Sequence, residues 1–376
     1  MSCLFATNNQ CQKTVLNNES EMRMILNANK STRAVHYLWG IGGVGQRALN
    51  YLLPLGVLDG IIDNDPKKQG QIIDGLLVNG YGDLLPLIKD RGSTVVISHF
   101  GLKEAEEVLE RDGVRYFRLS DFITNWFWEN KKKDAIGFLD FPITMRCSLN
   151  CRDCMQYVPY RTGQDILLKD LCRQLEALFG KVAFVGEMSI IGGEPFLHGH
   201  IGELLGFIDE RYQSRIGSLV ITTNGTVVPD FSVLEQIRKA DVFVSVSDYS
   251  DAIDGMDEKI SKLEVLARQA VVKIGRKKWS WVEPGKFDCT APYVDCGQTH
   301  MQLLDGKLWH CTLLAAGNAA GFCEATSGLD FWDLREAYGF HEFIKRSKME
   351  HRTTQCIKCG YRLKQPVPSA VQVSHV

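Results

Sequence analysis

The chain lacks three things that would decide its class at once. It has no apolar run approaching the roughly 20 residues that a membrane-spanning helix needs, so no membrane partner is expected. Its opening, MSCLFATNNQCQK, lacks a basic start followed by an apolar core. No secretory signal is expected there, and the location is read as cytoplasmic. An excess of either charge is also missing: 43 Lys and Arg stand against 45 Asp and Glu, a formal net charge of −2. That balance gives no footprint for nucleic acid. The longest basic run, Lys131 to Lys133, reads as a solvated corner between domains. Cysteine is not lacking. Twelve of them in a cytosolic chain argue for metal or redox chemistry, because that compartment does not sustain a disulfide framework.

A length of 376 residues predicts two or three domains of ordinary size. Residues 1–33 are polar and poorly patterned, an N-terminal tail. Residues 34–130 open with a buried-strand pattern, Ala34 to Trp39, which runs into GIGGVG at 40–45. A helical stretch follows at 46–53, then a strand, Val57 to Ile62, ending in DNDP. A further strand at 94–98 precedes a helix near 103–111. This alternation predicts a Rossmann-like parallel sheet with helices on both faces. FITNWFWENKKKD at 122–134 reads as the exit, its aromatics packing between domains.

The alternation resumes over residues 136–290. Strands are predicted at 138–144, 187–191, 218–223, 242–247 and 270–274, with helices near 168–179, 201–211 and 232–239. Repeated strand-then-helix units predict a partial or complete (β/α) barrel, whose chemistry belongs at the C-terminal ends of its strands. Each early end carries something unusual. Cys147 follows the first strand, GGEP (192–195) the second, TTNG (222–225) the third and SVSD (245–248) the fourth.

The loop after the first strand reads CSLNCRDC. Three thiolates there would hold three irons of a 4Fe–4S cube and leave the fourth iron open, and an open position marks a catalytic metal site. A structural zinc on Cys147, Cys151, Cys154 and one remote ligand is the alternative. At these residues the chain resembles the radical S-adenosylmethionine superfamily, whose signature is C-x3-C-x2-C on this loop. The resemblance covers roughly 138–300. It implies a partial (β/α)6 barrel, a [4Fe–4S] cluster on Cys147, Cys151 and Cys154, and S-adenosylmethionine as cosubstrate. Gly192, Gly193, Glu194 and Pro195 match the family motif that binds the methionine amino group, with Glu194 accepting from the ammonium. Thr222, Thr223, Asn224 and Ser245 sit where the family contacts the ribose and carboxylate. One electron from such a cluster cleaves the sulfonium to a 5′-deoxyadenosyl radical, so a flavodoxin- or ferredoxin-like electron donor is implied. The chain departs from the family at one point: an aromatic usually precedes the third cysteine, and here it is Asp153. Adenine packing would then fall to Tyr157 or a barrel-edge residue.

A second cysteine set lies at 291–362. Cys296 and Cys311 read C-x9-G-x4-C around Gly306, and Cys356-Ile-Lys-Cys359 follows. MQLLDGKLWHC predicts a hairpin about Asp305-Gly306. The set resembles the twitch extension of radical S-adenosylmethionine enzymes, implying a second, auxiliary [4Fe–4S] cluster on Cys296, Cys311, Cys356 and Cys359 as an electron relay. A four-cysteine zinc ribbon is the alternative. Of the remaining cysteines, Cys289 and Cys323 flank this motif and are candidate hydrogen donors, with packing or an alternate ligand role as the plainer reading. Residues 363–376 read as a C-terminal tail.

Gly40, Gly42 and Gly45 satisfy G-x-G-x-x-G between a strand and a helix, and Asp63 closes the next strand. Such glycines let a phosphate sit on the helix N-terminus. The text that follows, VLDGIIDNDPKKQGQIIDGLLVNG, resembles nucleotide-sugar-binding head domains of sugar acyltransferases. A nucleotide or nucleotide-sugar, NAD, or no ligand at all in a docking fold are the three readings. Together these features point to an α/β enzyme that oxidises a sugar, nucleotide-linked or aminocyclitol-like, by radical chemistry. A sugar epimerase using Cys289 or Cys323, a peptide-modifying maturase and a non-enzymatic iron–sulfur sensor or scaffold are the alternatives.

Overall fold

Short apolar strands alternate with amphipathic helices over the first third of the chain, and the computed structural model folds them as that pattern requires. It describes residues 36–98, 102–266, 271–274, 279–280, 300–346, 353–354, 356, 366–367 and 370–373. The head sheet contains β1 (His36–Trp39), β2 (Leu58–Ile62), β3 (Ile72–Ile73), β4 (Leu76–Asn79), β5 (Thr94–Ile97) and β6 (Tyr116–Arg118). Their order is β3-β4-β2-β1-β5-β6, parallel except for the β3–β4 pair. The helix Gly43–Leu55 leaves the glycine loop, and Tyr81–Arg91, Leu102–Arg111 and Leu119–Lys131 are the others of this unit. The sequence pattern did not indicate β3, β4, β6 or the helix Tyr81–Arg91. Two of these strands are only two and three residues long, too short for a period to show.

The second sheet begins with β7 (Ala135–Thr144), every residue of which is buried. A parallel strand covered on both faces calls for a largely apolar run, and its one carboxylate, Asp140, accepts from Thr312 Oγ1 at 2.7 Å. β8 (Phe184–Gly192), β9 (Ile216–Thr223), β10 (Phe243–Ser247) and β11 (Val271–Ile274) follow in parallel. Between them lie the helices Leu168–Phe179, Ile201–Tyr212, Phe231–Lys239 and Met256–Leu266. The first buries Leu171, Leu175 and Leu178 against Leu139, Phe141 and Ile143, the helical spacing of a core-facing stripe.

β12 (Trp279–Ser280) pairs with β16 (Pro366–Val367) in a small ribbon. β13 (His300–Leu304) and β14 (Lys307–Trp309) form the expected hairpin, and Asp305 and Gly306 both take positive φ, 53° and 69°. A two-residue hairpin turn of this kind demands that conformation. The hairpin does not stand apart from the barrel. β13 pairs in parallel with β7, and β15 (Phe331–Asp333) completes the order β11-β10-β9-β8-β7-β13-β14-β15. The result is a mixed α/β protein with an open, partial barrel whose first strand is flanked by the C-terminal extension.

The head docks on the N-terminal ends of β7, β8 and β9. Gly137, Gly186 and Gly217 stand in register there. A Cβ at Gly137 would overlap the backbone of Ser120, and one at Gly217 would overlap the Tyr51 ring. Glycine is therefore needed for this close approach. Phe127 stacks on Phe184 at 4.8 Å, so the exit aromatics do pack across the seam.

Candidate active site

The C-terminal ends of β7, β8 and β9 deliver three loops to one place. Cys147, Cys151, Cys154, Gly193, Asn224 and Tyr249 line a single cavity. The cysteine loop is braced from below. Thr144 Oγ1 donates to Asp165 Oδ1 at 2.6 Å, and Arg146 Nη1 donates to Asp165 Oδ2 at 3.2 Å and to the Leu197 carbonyl at 2.9 Å.

Gly192 and Gly193 are there for that loop. Gly192 has φ 151°, and a Cβ on it would collide with the Thr144 carbonyl; a Cβ on Gly193 would collide with the Arg146 carbonyl and reach Cys147. Gly193 N–H donates to the Thr144 carbonyl and Glu194 N–H to the Arg146 carbonyl, both at 2.8 Å. The glycines thus let the second strand end lie against the cysteine backbone.

Glu194 is fully buried, 0% exposed, and its carboxylate turns inward. Oε1 accepts from Thr223 Oγ1 at 2.8 Å and from Phe196 N–H at 3.1 Å, while Oε2 accepts from Asn224 N–H at 2.8 Å. The resemblance implies that this carboxylate accepts from a ligand ammonium; in the structure donors of the chain itself engage both oxygens. Burial pushes the Glu194 carboxyl up to about 7, against the pull of those three donors. Pro195 is buried and begins a single 3-10 turn.

Asn224 links the third strand end to the first. Its Nδ2 donates to Cys147 Sγ at 3.5 Å and to Ser148 Oγ at 3.2 Å, and its Oδ1 accepts from Thr226 N–H at 2.9 Å. Thr222 lies beside Ser245 across β9 and β10. Tyr249, two residues past β10, was not singled out in the sequence, although it directly follows the SVSD motif. Tyr157 does not face the cavity; it is buried, with its ring near those of Tyr160 and Phe322.

Cys147, Cys151 and Cys154 are in no disulfide. Burial pushes the Cys147 thiol up to about 12 and raises Cys151 and Cys154 as well; repulsion from neighbouring thiols adds to the first two, while Arg161 draws Cys154 back down. Yet backbone amides aim at the sulfurs: Leu149 N–H at Cys147, and those of Val158, Gln156 and Tyr157 at Cys154. Donors directed at sulfur with no compensating acceptor suit thiolates that a cation neutralises. Among the described residues no three His, Cys, Asp or Glu side chains are gathered to hold a single metal ion. Three thiols ringing one cavity fit a cluster of several irons.

Of the second cysteine set, the structure describes Cys311 and Cys356; Cys296, Cys359 and the candidate donor Cys289 lie outside the described residues. Cys311 and Cys323 both pack on the apolar cluster of Leu304, Trp309 and Leu314. Burial pushes the Cys323 thiol up to about 11, and it is not among the residues lining the cysteine cavity. Asp330 ties this region together, accepting from Thr326 N–H at 2.8 Å and Thr354 N–H at 2.6 Å, and Thr353 Oγ1 lies 3.2 Å from Cys356 Sγ.

In the head, Gly40 follows β1 and Gly42 caps the helix Gly43–Leu55. A Cβ at Gly42 would meet nothing within 4 Å, whereas one at Gly45 would collide with the Gly40 carbonyl. Asp63 accepts from Ile41 N–H and Lys68 Nζ at 2.9 Å each, so it fastens the glycine loop to the end of β2.

Residues 141–278 match the sequence model of the Radical SAM superfamily, and this stretch is a domain of that superfamily. Over 116 residues the chain is 31% identical to the GTP 3′,8-cyclase of Syntrophomonas wolfei subsp. wolfei, covering 30% of this chain and 33% of that protein. The chain thus spans about a third of the length of the curated relative it matches. Among solved structures, it is similar to BtrN in complex with AdoMet and 2-DOIA, at 17% identity and a TM-score of 0.42, over 64% of this chain and 100% of that one. It is also similar to UDP-D-quinovosamine 4-dehydrogenase from Vibrio fischeri, at 22% identity and a TM-score of 0.21, over 25% of this chain and 85% of that one. No helix among the described residues is long and apolar enough to cross a membrane.

Proposed function

We propose that this chain is a radical S-adenosylmethionine enzyme that oxidises a sugar-type small molecule. The observation that carries the reading is the convergence of three thiols with Gly193 and Asn224 around one cavity at the strand ends. Cys147, Cys151 and Cys154 would hold a [4Fe–4S] cluster, which with the bound cosubstrate supplies a 5′-deoxyadenosyl radical. Gly192 to Pro195, Thr222 to Asn224 and Ser245 would form the cosubstrate cradle. Glu194 acts within it by fixing Thr223 and Asn224, so that Asn224 reaches the Cys147 sulfur. Cys296, Cys311, Cys356 and Cys359 would hold the auxiliary cluster that takes up the substrate electron. A flavodoxin- or ferredoxin-like protein would supply the first one.

Oxidation is preferred to epimerisation because the second cysteine set offers an electron acceptor, whereas neither candidate hydrogen donor has a motif behind it: Cys323 does not line the cavity, and Cys289 lies outside the described residues. Between the two substrate classes, the position of the head favours the aminocyclitol-like one. The head meets β8 at Glu187, while the cavity begins at Gly193. Six residues of strand put roughly 20 Å between those levels. A nucleotide held at Gly40, Gly42 and Gly45 would sit on the unit that docks at the other end of the barrel strands from the cavity, which favours a ligand that acts separately from the radical.

The test is anaerobic reconstitution with S-adenosylmethionine and a panel of aminocyclitols and nucleotide sugars, scored for 5′-deoxyadenosine and product mass. Oxidation yields product two hydrogens lighter than substrate. Product of unchanged mass carrying one carbon-bound deuteron from D2O would establish epimerisation instead.

A further inference from the structure

Residues 370–373 come back to the cysteine loop. Cys151 and Gln372 form an antiparallel bridge. Arg152 N–H donates to the Val371 carbonyl at 2.8 Å, and Val373 N–H to the Asn150 carbonyl at 2.9 Å. Ala370, with φ 55°, lines the cavity itself. The Gln372 side chain then uses every polar atom it has. Its Oε1 accepts from Asn150 N–H at 2.5 Å, and its Nε2 donates to the Ala370 carbonyl at 2.7 Å and to Cys151 Sγ at 3.4 Å. The amide can face only one way, because the opposite orientation would set Nε2 against the Asn150 N–H. A donor is thereby committed to the sulfur.

We infer that Gln372 is a positioning residue for the cluster on Cys147, Cys151 and Cys154: it clamps the cysteine loop and, by donating to Cys151 Sγ, raises the cluster's reduction potential. The inference rests on the reading of those three cysteines as ligands. Its physical basis is that reduction adds electron density to the sulfurs, which an N–H dipole aimed at one of them stabilises. Asn224 makes the equivalent contact at Cys147, and the amides of Gln156, Tyr157 and Val158 do so at Cys154. Gln372 supplies the third sulfur from a segment more than 200 residues away.

The test compares wild type, Gln372→Met and Gln372→Glu as full chains reconstituted anaerobically. Iron and sulfide are counted, and the midpoint potential is followed by electron paramagnetic resonance on the signal that changes when S-adenosylmethionine is added. That response separates this cluster from the auxiliary one. Methionine keeps the volume and loses both the donor and the acceptor, so its potential should fall. Glutamate keeps the acceptor for Asn150, loses the donor and adds negative charge, so its potential should fall further. Loss of this cluster from a folded Met variant supports the clamp in its stronger form. A loaded Met variant with the wild-type potential overturns the inference. A wild type with no signal that responds to S-adenosylmethionine overturns the reading of the ligands instead.

Discussion

Arg47 of the head and Glu187 of β8 are joined across the seam by two hydrogen bonds, Nε to Oε2 at 2.8 Å and Nη2 to Oε1 at 3.0 Å. Their side chains are only 8% and 6% exposed. Breaking such a pair strands one buried charge, at a cost of about 3–5 kcal/mol, whereas replacing both partners with apolar residues can be neutral. Glu187→Ala should therefore lower the urea midpoint sharply, and Arg47→Met with Glu187→Leu should restore much of it. A single mutant as stable as wild type would show that the seam does not depend on this pair.

Replacing Cys147, Cys151 and Cys154 together by Ala should abolish 5′-deoxyadenosine formation while leaving roughly half the iron, taking two clusters of equal iron content. Persisting cosubstrate cleavage in the triple variant would refute the assignment of these ligands.

Two glycines of one fingerprint should behave oppositely. Gly42→Ala adds a methyl group where there is open space, so the protein should fold normally, with any effect confined to ligand binding at the head. Gly45→Ala drives its Cβ into the Gly40 carbonyl and close to Ser98 Oγ, and such overpacking costs typically 1–3 kcal/mol. Thermal melts of the two variants decide it. Equal stability would mean that the loop readjusts at Gly45.

Glu194 gives the fold a pH dependence. Its folded pKa, about 7, stands above the ordinary 4.5, so the folded chain holds the proton more tightly than the unfolded one. Its contribution is fully present below about pH 4.5 and is lost as pH rises through about 7. Relative to Glu194→Gln, the metal-free wild type should lose roughly 3 kcal/mol across that window. A difference independent of pH in denaturant titrations would refute it.

Local patterning made part of this fold readable from the residues alone. The helix at 168–179 was legible because Leu171, Leu175 and Leu178 recur at helical spacing, and the hairpin because Asp305-Gly306 tolerates two positive φ values. The cysteine loop and GGEP were legible because those residue types at that spacing have few other uses. What joins distant segments emerged only once the chain had folded. That the hairpin pairs with β7, that the head sits at the N-terminal strand ends and that Gln372 reaches Cys151 are all contacts between residues far apart in the chain. No periodicity encodes such contacts, since they depend on which surfaces meet once each element has formed. Glu194 shows the boundary most clearly. Its identity was readable in GGEP, but the direction of its carboxylate was set by Thr223, Asn224 and Phe196, whose donors needed an acceptor once burial had removed water.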